Sequence, residues 1–190
     1  MAAGQASVVG LDYTMSKYWA IAAVMTRSSL TTVRSEPAAS VTTASGPLLV
    51  KAETLTISTD KTLQLIDLTD DVMARVRELG VREGTATLSS LHTTCAVVVN
   101  ESQPALREDM EQFLEHVVDS ATPWLHNDPQ HSDCSRMNAG AHLRALLLSH
   151  NVTLQISGGE LVLGQWQRVL VAELDGPRTR SLRLQVMGVA

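Results

Sequence analysis

From Lys51 onward the chain alternates between short strand-like runs and turn residues, with three helical patterns set among them. That punctuation limits the folds open to it. Ala52–Ser58 (AETLTIS) puts Leu55 and Ile57 on one face, the period of a half-buried strand. Leu63–Leu68 (LQLIDL) is a second such run, and Asp60-Lys61 suits a turn, so the two are expected to form a hairpin. Thr69 opens a helix with Asp70 and Asp71 in its first turn, Val72, Val76 and Leu79 on one stripe, and Gly80 past its end. Strands follow at Thr85–Leu91 and Cys95–Asn100 (CAVVVN). Pro104 opens a second helix, where its missing N–H costs nothing, with Leu106, Met110, Phe113 and Val117 as the expected buried stripe. After a polar loop from Ala121 to Cys134, a third helix over 135–148 carries Leu143, Leu146 and Leu147. Val152–Ile156 and Glu160–Leu163 flank Ser157-Gly158-Gly159, and Trp166–Leu174 and Ser181–Met187 flank the Asp175–Arg178 turn. Connections this short favour antiparallel pairing. The expected class is α+β: antiparallel sheets in a sandwich-like arrangement with about three packed helices.

With 190 residues the chain has room for one cored domain and a tail. Aromatics are only 3%, so Val, Leu, Ile, Ala and Met must build the core. Residues 1–48 stand apart. They are rich in Ala, Ser, Thr and Val, hold only Asp12 and Glu36 as acids, and end in a Pro- and Ser-containing linker. They read as an N-terminal extension, disordered or used for organelle targeting; Lys17, Arg27 and Arg34 are few bases for a targeting peptide. The folded domain is expected over 49–190. The formal charge is −5 and no basic run interleaves with aromatics, which argues against a large nucleic-acid surface. No apolar stretch nears the roughly 20 residues of a membrane span. Cys95 and Cys134 make neither a disulfide framework nor a thiolate zinc site and are expected as reduced thiols of a cytoplasmic protein.

Three polar clusters interrupt the scaffold. His92-Thr93-Thr94 falls at the break between two apolar strands, where a plain strand-end turn is the competing reading. Trp124–Pro129 (WLHNDP) gathers His126, Asn127 and Asp128 in a long polar loop; an Asx-type turn explains Asn127 but not His126. Asn138–Leu143 (NAGAHL) puts Asn138 and His142 on one helix face with small residues around them, against the ordinary alternative of a core histidine. His116 and His150 read as structural or solvated, and His131 stays open. His92, His126 and His142 could together hold a metal with one coordination position open for water or substrate. Without a metal, one imidazole could act as acid or base near neutral pH while the others bind an anion.

The run His92-Thr93-Thr94 with Asn100-Glu101, then His126-Asn127-Asp128, Asn138–Leu143, Leu163-Gly164-Gln165-Trp166-Gln167 and Glu173–Arg178 resembles the YjbQ-type family, also called the secondary thiamine-phosphate synthase family. The resemblance spans about Leu49 to Gly188. It implies an α+β domain, a homotrimer, and a site around the three histidines that takes a divalent metal (zinc or magnesium) or a phosphate. It also implies a weak ability to join a pyrimidine diphosphate to a thiazole phosphate. For that reaction His92, His126, His142 and Asp128 are the catalytic candidates. Thr93, Thr94, Asn127, Asn138, Gln167 and Arg178 are the substrate-binding ones, and Glu101 supports a histidine. Trp166 is expected as a pocket wall or, more simply, a core residue, and Asp175 as a turn former. The competing functions are a different metal-dependent hydrolase and a non-catalytic module that binds a phosphorylated metabolite.

Overall fold

The computed structural model describes residues 43–190, so the expectations for residues 1–42 lie outside the described residues. Strands β1 (Leu49–Ser58) and β2 (Gln64–Asp67) precede α1 (Thr69–Leu79). Then come β3 (Glu83–Ser90), β4 (Cys95–Asn100), α2 (Pro104–Val117), a single 3-10 turn (Leu125–Asn127) and α3 (Ala139–Leu147). β5 (Asn151–Ser157), β6 (Glu160–Leu161), β7 (Arg168–Glu173) and β8 (Thr179–Val189) complete the chain. The strands form two antiparallel sheets, ordered β1-β8-β3-β5-β6 and β2-β7-β4. The α+β expectation holds, and so does the β5–β6 hairpin.

The first hairpin does not form. β1 pairs with β8 in the large sheet, whereas β2 pairs with β7 in the small one. Residues 59–63 are a crossover between sheets, pinned by the Thr59 N–H donating to Arg178 O (2.9 Å). Two adjacent alternating runs look the same in sequence whether they pair with each other or diverge. What separates them is burial partner: Leu63 and Leu65 pack toward the helices, while Leu55 and Ile57 pack between the sheets.

The small sheet is therefore the middle layer. Val169 and Val171 of β7 face the large sheet with Val97, Leu182, Leu184 and Val186. Ala172 and Leu174 face α2 and α3 with Leu63, Leu65 and Ala96. This explains the continuously apolar β7, which is buried on both faces. Helix α1 ends at Gly80 with φ 74°, as its sequence suggests. Its start is capped by Asp67, whose Oδ1 accepts from the Thr69 N–H (3.0 Å) and hydroxyl (2.7 Å).

The other helices depart from the expected stripes. In α2 only Leu114 is fully buried, and Phe113 is 64% exposed. In α3 the buried face is Ala139, Gly140, Ala141 and Arg144, while Leu146 and Leu147 point outward. Small residues let the α3 backbone close on Ala96 and Ala172. Arg144 fills the gap at the end of α2, donating from Nε to Leu114 O (3.0 Å) and from Nη2 to Val118 O (2.8 Å). Leu114 O already accepts from the Val118 N–H (3.2 Å) and gains a second donor, while Val118 O lies past the last helical bond; both belong to a helix C-terminus, where a cation is favoured.

At one register position glycine is obligatory. Gly84 of β3 lies opposite Gly188 of β8, and a Cβ on Gly188 would sit 2.1 Å from Glu83 O. A Gly188→Ala variant should lose about 1–3 kcal/mol of stability, the usual range for overpacking, read as a lowered Tm; an unchanged Tm contradicts the close approach.

Candidate functional site

Glu173 and Arg180 are charged residues at core-facing positions. Glu173 has the parity of Val169 and Val171 on β7, and Arg180 that of Leu182 and Leu184 on β8. Each is almost wholly buried, at 0% and 3% exposure. They join the two sheets by a two-pronged ion pair, Nε donating to Oε2 (2.6 Å) and Nη2 to Oε1. The rest of Glu173 is satisfied by the Thr59 hydroxyl (3.1 Å) and the Asp175 N–H (2.8 Å). Burial works to raise the carboxyl's pKa, but the Arg180 guanidinium and these donors outweigh it, so Glu173 lies below the usual carboxylate range.

The pair organises the turns around it. Arg180 Nη2 donates to the carbonyl and hydroxyl of Thr94, both at 3.1 Å. One residue on, the Ser181 N–H donates to His92 Nε2 (2.8 Å). A backbone N–H can only donate, so Nε2 carries the lone pair and the neutral ring has its proton on Nδ1. Burial and the nearby Arg180 cation both lower the His92 pKa, which favours this neutral form. The Asp175–Arg178 turn closes over the same end. Gly176 sits where a Cβ would lie 2.2 Å from Lys61 O. Asp175 is more than a turn former: its Oδ2 accepts from Asn138 Nδ2 (3.0 Å) and from Arg178 Nε (3.1 Å) and Nη2 (2.9 Å). The Arg178 fork is thus engaged by its own turn.

Asn138 stands at the head of α3, after Met137, a non-glycine residue with φ 51°. Asn127 caps the same helix, its Oδ1 accepting from the Ala139 N–H (2.9 Å). That bond brings the 3-10 turn onto α3, and His126 meets His142 edge to face with ring centroids 5.1 Å apart. His142 also lines an open cleft of about 520 Å³ with His92, Thr93 and His150 on its polar side and Leu91 and Leu146 on its apolar side. Cys95 lies at its floor, its thiol pKa raised by burial.

The structure thus gathers His92, Thr93 and His142 at the cleft, with His126 against His142. Asn127, Asn138 and Thr94 are engaged by the surrounding structure, bonded to the Ala139 N–H, the Asp175 carboxylate and the Arg180 guanidinium. Asp128 instead pairs with His131 (2.9 Å). Gln167 and Glu101 lie elsewhere. Cys95 is in register with Glu173, and Asn100 with Arg168, so Glu101 and Gln167 sit at the far end of β4 and β7. At ~3.3 Å per residue the six residues of β7 put them about 17 Å from the Glu173 end. Trp166 is no core residue, being 60% exposed there. His150, set aside on sequence, is part of the cleft. Neither Glu173, which the sequence offers only as part of the Glu173–Arg178 motif, nor Arg180 is a sequence-predicted site residue; the signal for Glu173 was a charge at the inward parity of an apolar strand, and Arg180 gains that parity only because β8 begins at Thr179. Among the described residues no group of three or more His, Cys, Asp or Glu side chains converges to hold one metal ion. Nor does His92 offer a lone pair to the cleft while Nε2 accepts from Ser181.

Fold and cleft together define a two-sheet α+β protein with a histidine-lined cleft where the sheets are pinned by a buried ion pair. The family model described as UPF0047 protein YjbQ-like matches residues 53–189, and the chain belongs to that family. It is 38% identical over 133 residues to a UPF0047 protein of Archaeoglobus fulgidus, covering 70% of this chain and 98% of that one. It is 33% identical over 137 residues to the UPF0047 protein YugU of Bacillus subtilis, covering 72% and 98%. The crystal structure of a YbjQ-like protein from Sulfolobus solfataricus superposes with a TM-score of 0.70 at 31% identity, covering 75% of this chain and 99% of that one. No helix among the described residues is long and apolar enough to cross a membrane.

Breaking the buried pair at one member should be costly. Glu173→Gln or Arg180→Met should each lower unfolding free energy by about 3–5 kcal/mol in denaturant titrations, and the double variant should recover part of the loss. Because folding lowers the Glu173 pKa, its contribution is complete above the ordinary carboxylate value and lost as pH falls through the lowered one. The gap between wild type and Glu173→Gln should therefore narrow in acid; a gap constant with pH contradicts the pairing.

Proposed function

We propose that the cleft binds a small phosphorylated metabolite. The observation that carries this reading is the composition of its lining: His92, His142, His150 and the Thr93 hydroxyl, with no carboxylate among them. His92 is oriented to present an Nδ1–H, a donor suited to a phosphate oxygen. The apolar wall of Leu91, Ala145 and Leu146 suits the uncharged part of the same molecule. The volume lies within the ~300–1,000 Å³ usual for small-ligand sites.

In the catalytic form of this reading, supported by the resemblance, the metabolite is a pyrimidine diphosphate that is joined to a thiazole phosphate. The imidazole and hydroxyl donors then hold the charge of the departing pyrophosphate. His142, braced by His126, is the candidate acid. A metal-dependent hydrolase built on the three histidines has no support from side-chain geometry within one chain. We extend the reading to assembly and place: a homotrimer, as the resemblance implies, acting in the cytoplasm, where phosphorylated metabolites and reduced thiols occur together. The exposed apolar side chains beside the cleft, Leu91, Leu146 and Leu147, support a homo-oligomer.

Thermal unfolding against a panel of phosphorylated metabolites and their dephosphorylated counterparts tests the reading. A phosphorylated ligand at about 100 times its Kd should raise Tm by roughly 5–10 °C. The counterpart should not, and His142→Ala should abolish the shift. Equal shifts for both forms, or an undiminished shift in His142→Ala, would sink the proposal. Growth of thiamine-requiring cells lacking their synthase tests the catalytic form; soluble protein without growth counts against it.

A further inference from the structure

We infer that a second pocket, away from the cleft, binds a small α-amino acid, its carboxylate on Arg144 and Ser120 and its ammonium between Glu115 and Asp119. Two arginines are buried among the described residues, Arg180 and Arg144, at 3% and 6% exposure. Arg180 has Glu173 as its counter-ion. Arg144 has none: no carboxylate of the described residues comes within 4.0 Å of it. It is held by hydrogen bonds to neutral groups, from Nε to Leu114 O (3.0 Å) and from Nη2 to Val118 O (2.8 Å) and Ser120 Oγ (3.0 Å). The end of α2 offsets only part of a full positive charge, and a buried charge is ordinarily matched by an opposite one. The remaining nitrogen, Nη1, donates to no atom of the described residues, yet it is not sealed away from solvent. Its N–H groups are left for an anion.

Arg144 lines a pocket of about 290 Å³ with Thr62, Leu63, Glu115, Asp119 and Ser120. None of these residues lines the histidine cleft, so the inference is independent of the metabolite reading. Gly140 leaves room beside the guanidinium: a Cβ there would lie 3.1 Å from Ser120 Oγ and 3.9 Å from Arg144 Nη1. Ser120 Oγ accepts from Arg144, which leaves its own O–H to donate. A guanidinium N–H and a hydroxyl side by side suit the two oxygens of a carboxylate. Glu115 is exposed on α2, and Asp119 lies four residues on, just past the helix end. Asp119 Oδ1 accepts from the Ala121 N–H (2.8 Å), and its Oδ2 stays available. A simple anion would meet these two carboxylates as like charges, and a simple cation would meet Arg144 in the same way. A molecule carrying both signs a few bonds apart satisfies both ends. The volume falls just below the ~300–1,000 Å³ of drug-sized sites, and Leu63 alone offers an apolar contact, so the zwitterion is a small one.

Titration of the full-length protein with the common L-amino acids, followed by NMR of the backbone amides and the Arg144 Nε–H, tests the inference. At least one amino acid with a small side chain should shift the Arg144 Nε–H and Ser120 amide signals saturably. Its N-acetyl derivative, which lacks the ammonium, and its amide, which lacks the carboxylate, should each bind more weakly by about tenfold or more. The double variant Glu115→Gln/Asp119→Asn should keep the wild-type unfolding transition, because Glu115 is exposed and an asparagine oxygen can still accept from the Ala121 N–H. It should weaken binding by a similar factor. Arg144→Met should abolish binding, and the carboxylate variant decides the matter if loss of the contacts to α2 unfolds that protein. No saturable shift with any of the amino acids, equal affinity for a blocked derivative, or unchanged binding by the carboxylate variant overturns the inference.

Discussion

The ion pair between Glu173 and Arg180 sits where two sheets must be held together without a large aromatic plug. With aromatics at only 3% of the chain, the sandwich is filled by Val, Leu, Ile and Ala, and its cleft end is sealed by charge instead. A buried pair of this kind adds little net stability over a well-packed apolar pair, because both ions lose hydration. What it supplies is position. Thr59, Thr94 and the Asp175 N–H all bond to the pair, so β7, β8, the turn before β4 and the crossover after β1 meet in a single arrangement.

The cleft inherits that arrangement. Arg180 fixes Thr94, the next residue fixes His92, and the Asp175 carboxylate fixes Asn138 at the head of α3, the helix that carries His142. Sequence segments that look like separate motifs are thus mechanically one unit. His92-Thr93-Thr94, Asn138–His142 and Glu173–Arg178 converge, while Leu163–Gln167 and Asn100-Glu101 are held away from them by the length of the small sheet.

Much of this was legible beforehand, for identifiable reasons. Helix α1 announced itself through acids in its first turn, a stripe at helical spacing and a terminal glycine, all local effects. The β5–β6 hairpin followed from Ser157-Gly158-Gly159 for the same reason. The pairing of β1 with β8 was not legible, because alternation states which face is buried and not against what. The outward leucines of α3 misled because Ala139, Gly140 and Ala141 won the close contact and Arg144 filled the rest. Among site residues, His92 and His142 stood out as polar groups at odd places. Glu173 was readable as a charge on an inward position of an apolar strand, whereas Arg180 fell between the expected turn and the strand expected from Ser181, and only the longer β8 gives it an inward parity. Gln167 and Glu101 shared motifs with the site but not its end of the sheet, and only the β4–β7 register reveals that.

The central claim is that this buried pair delivers His92 to the cleft as a neutral imidazole with its proton on Nδ1. Side-chain nitrogen-15 NMR of His92 in the full-length protein near neutral pH reads this directly. The account predicts a protonated Nδ1 and a bare, hydrogen-bonded Nε2. A proton on Nε2 with a bare Nδ1 facing the cleft would contradict it, because the Ser181 N–H would then have no acceptor in the ring and His92 would meet its ligand with a lone pair.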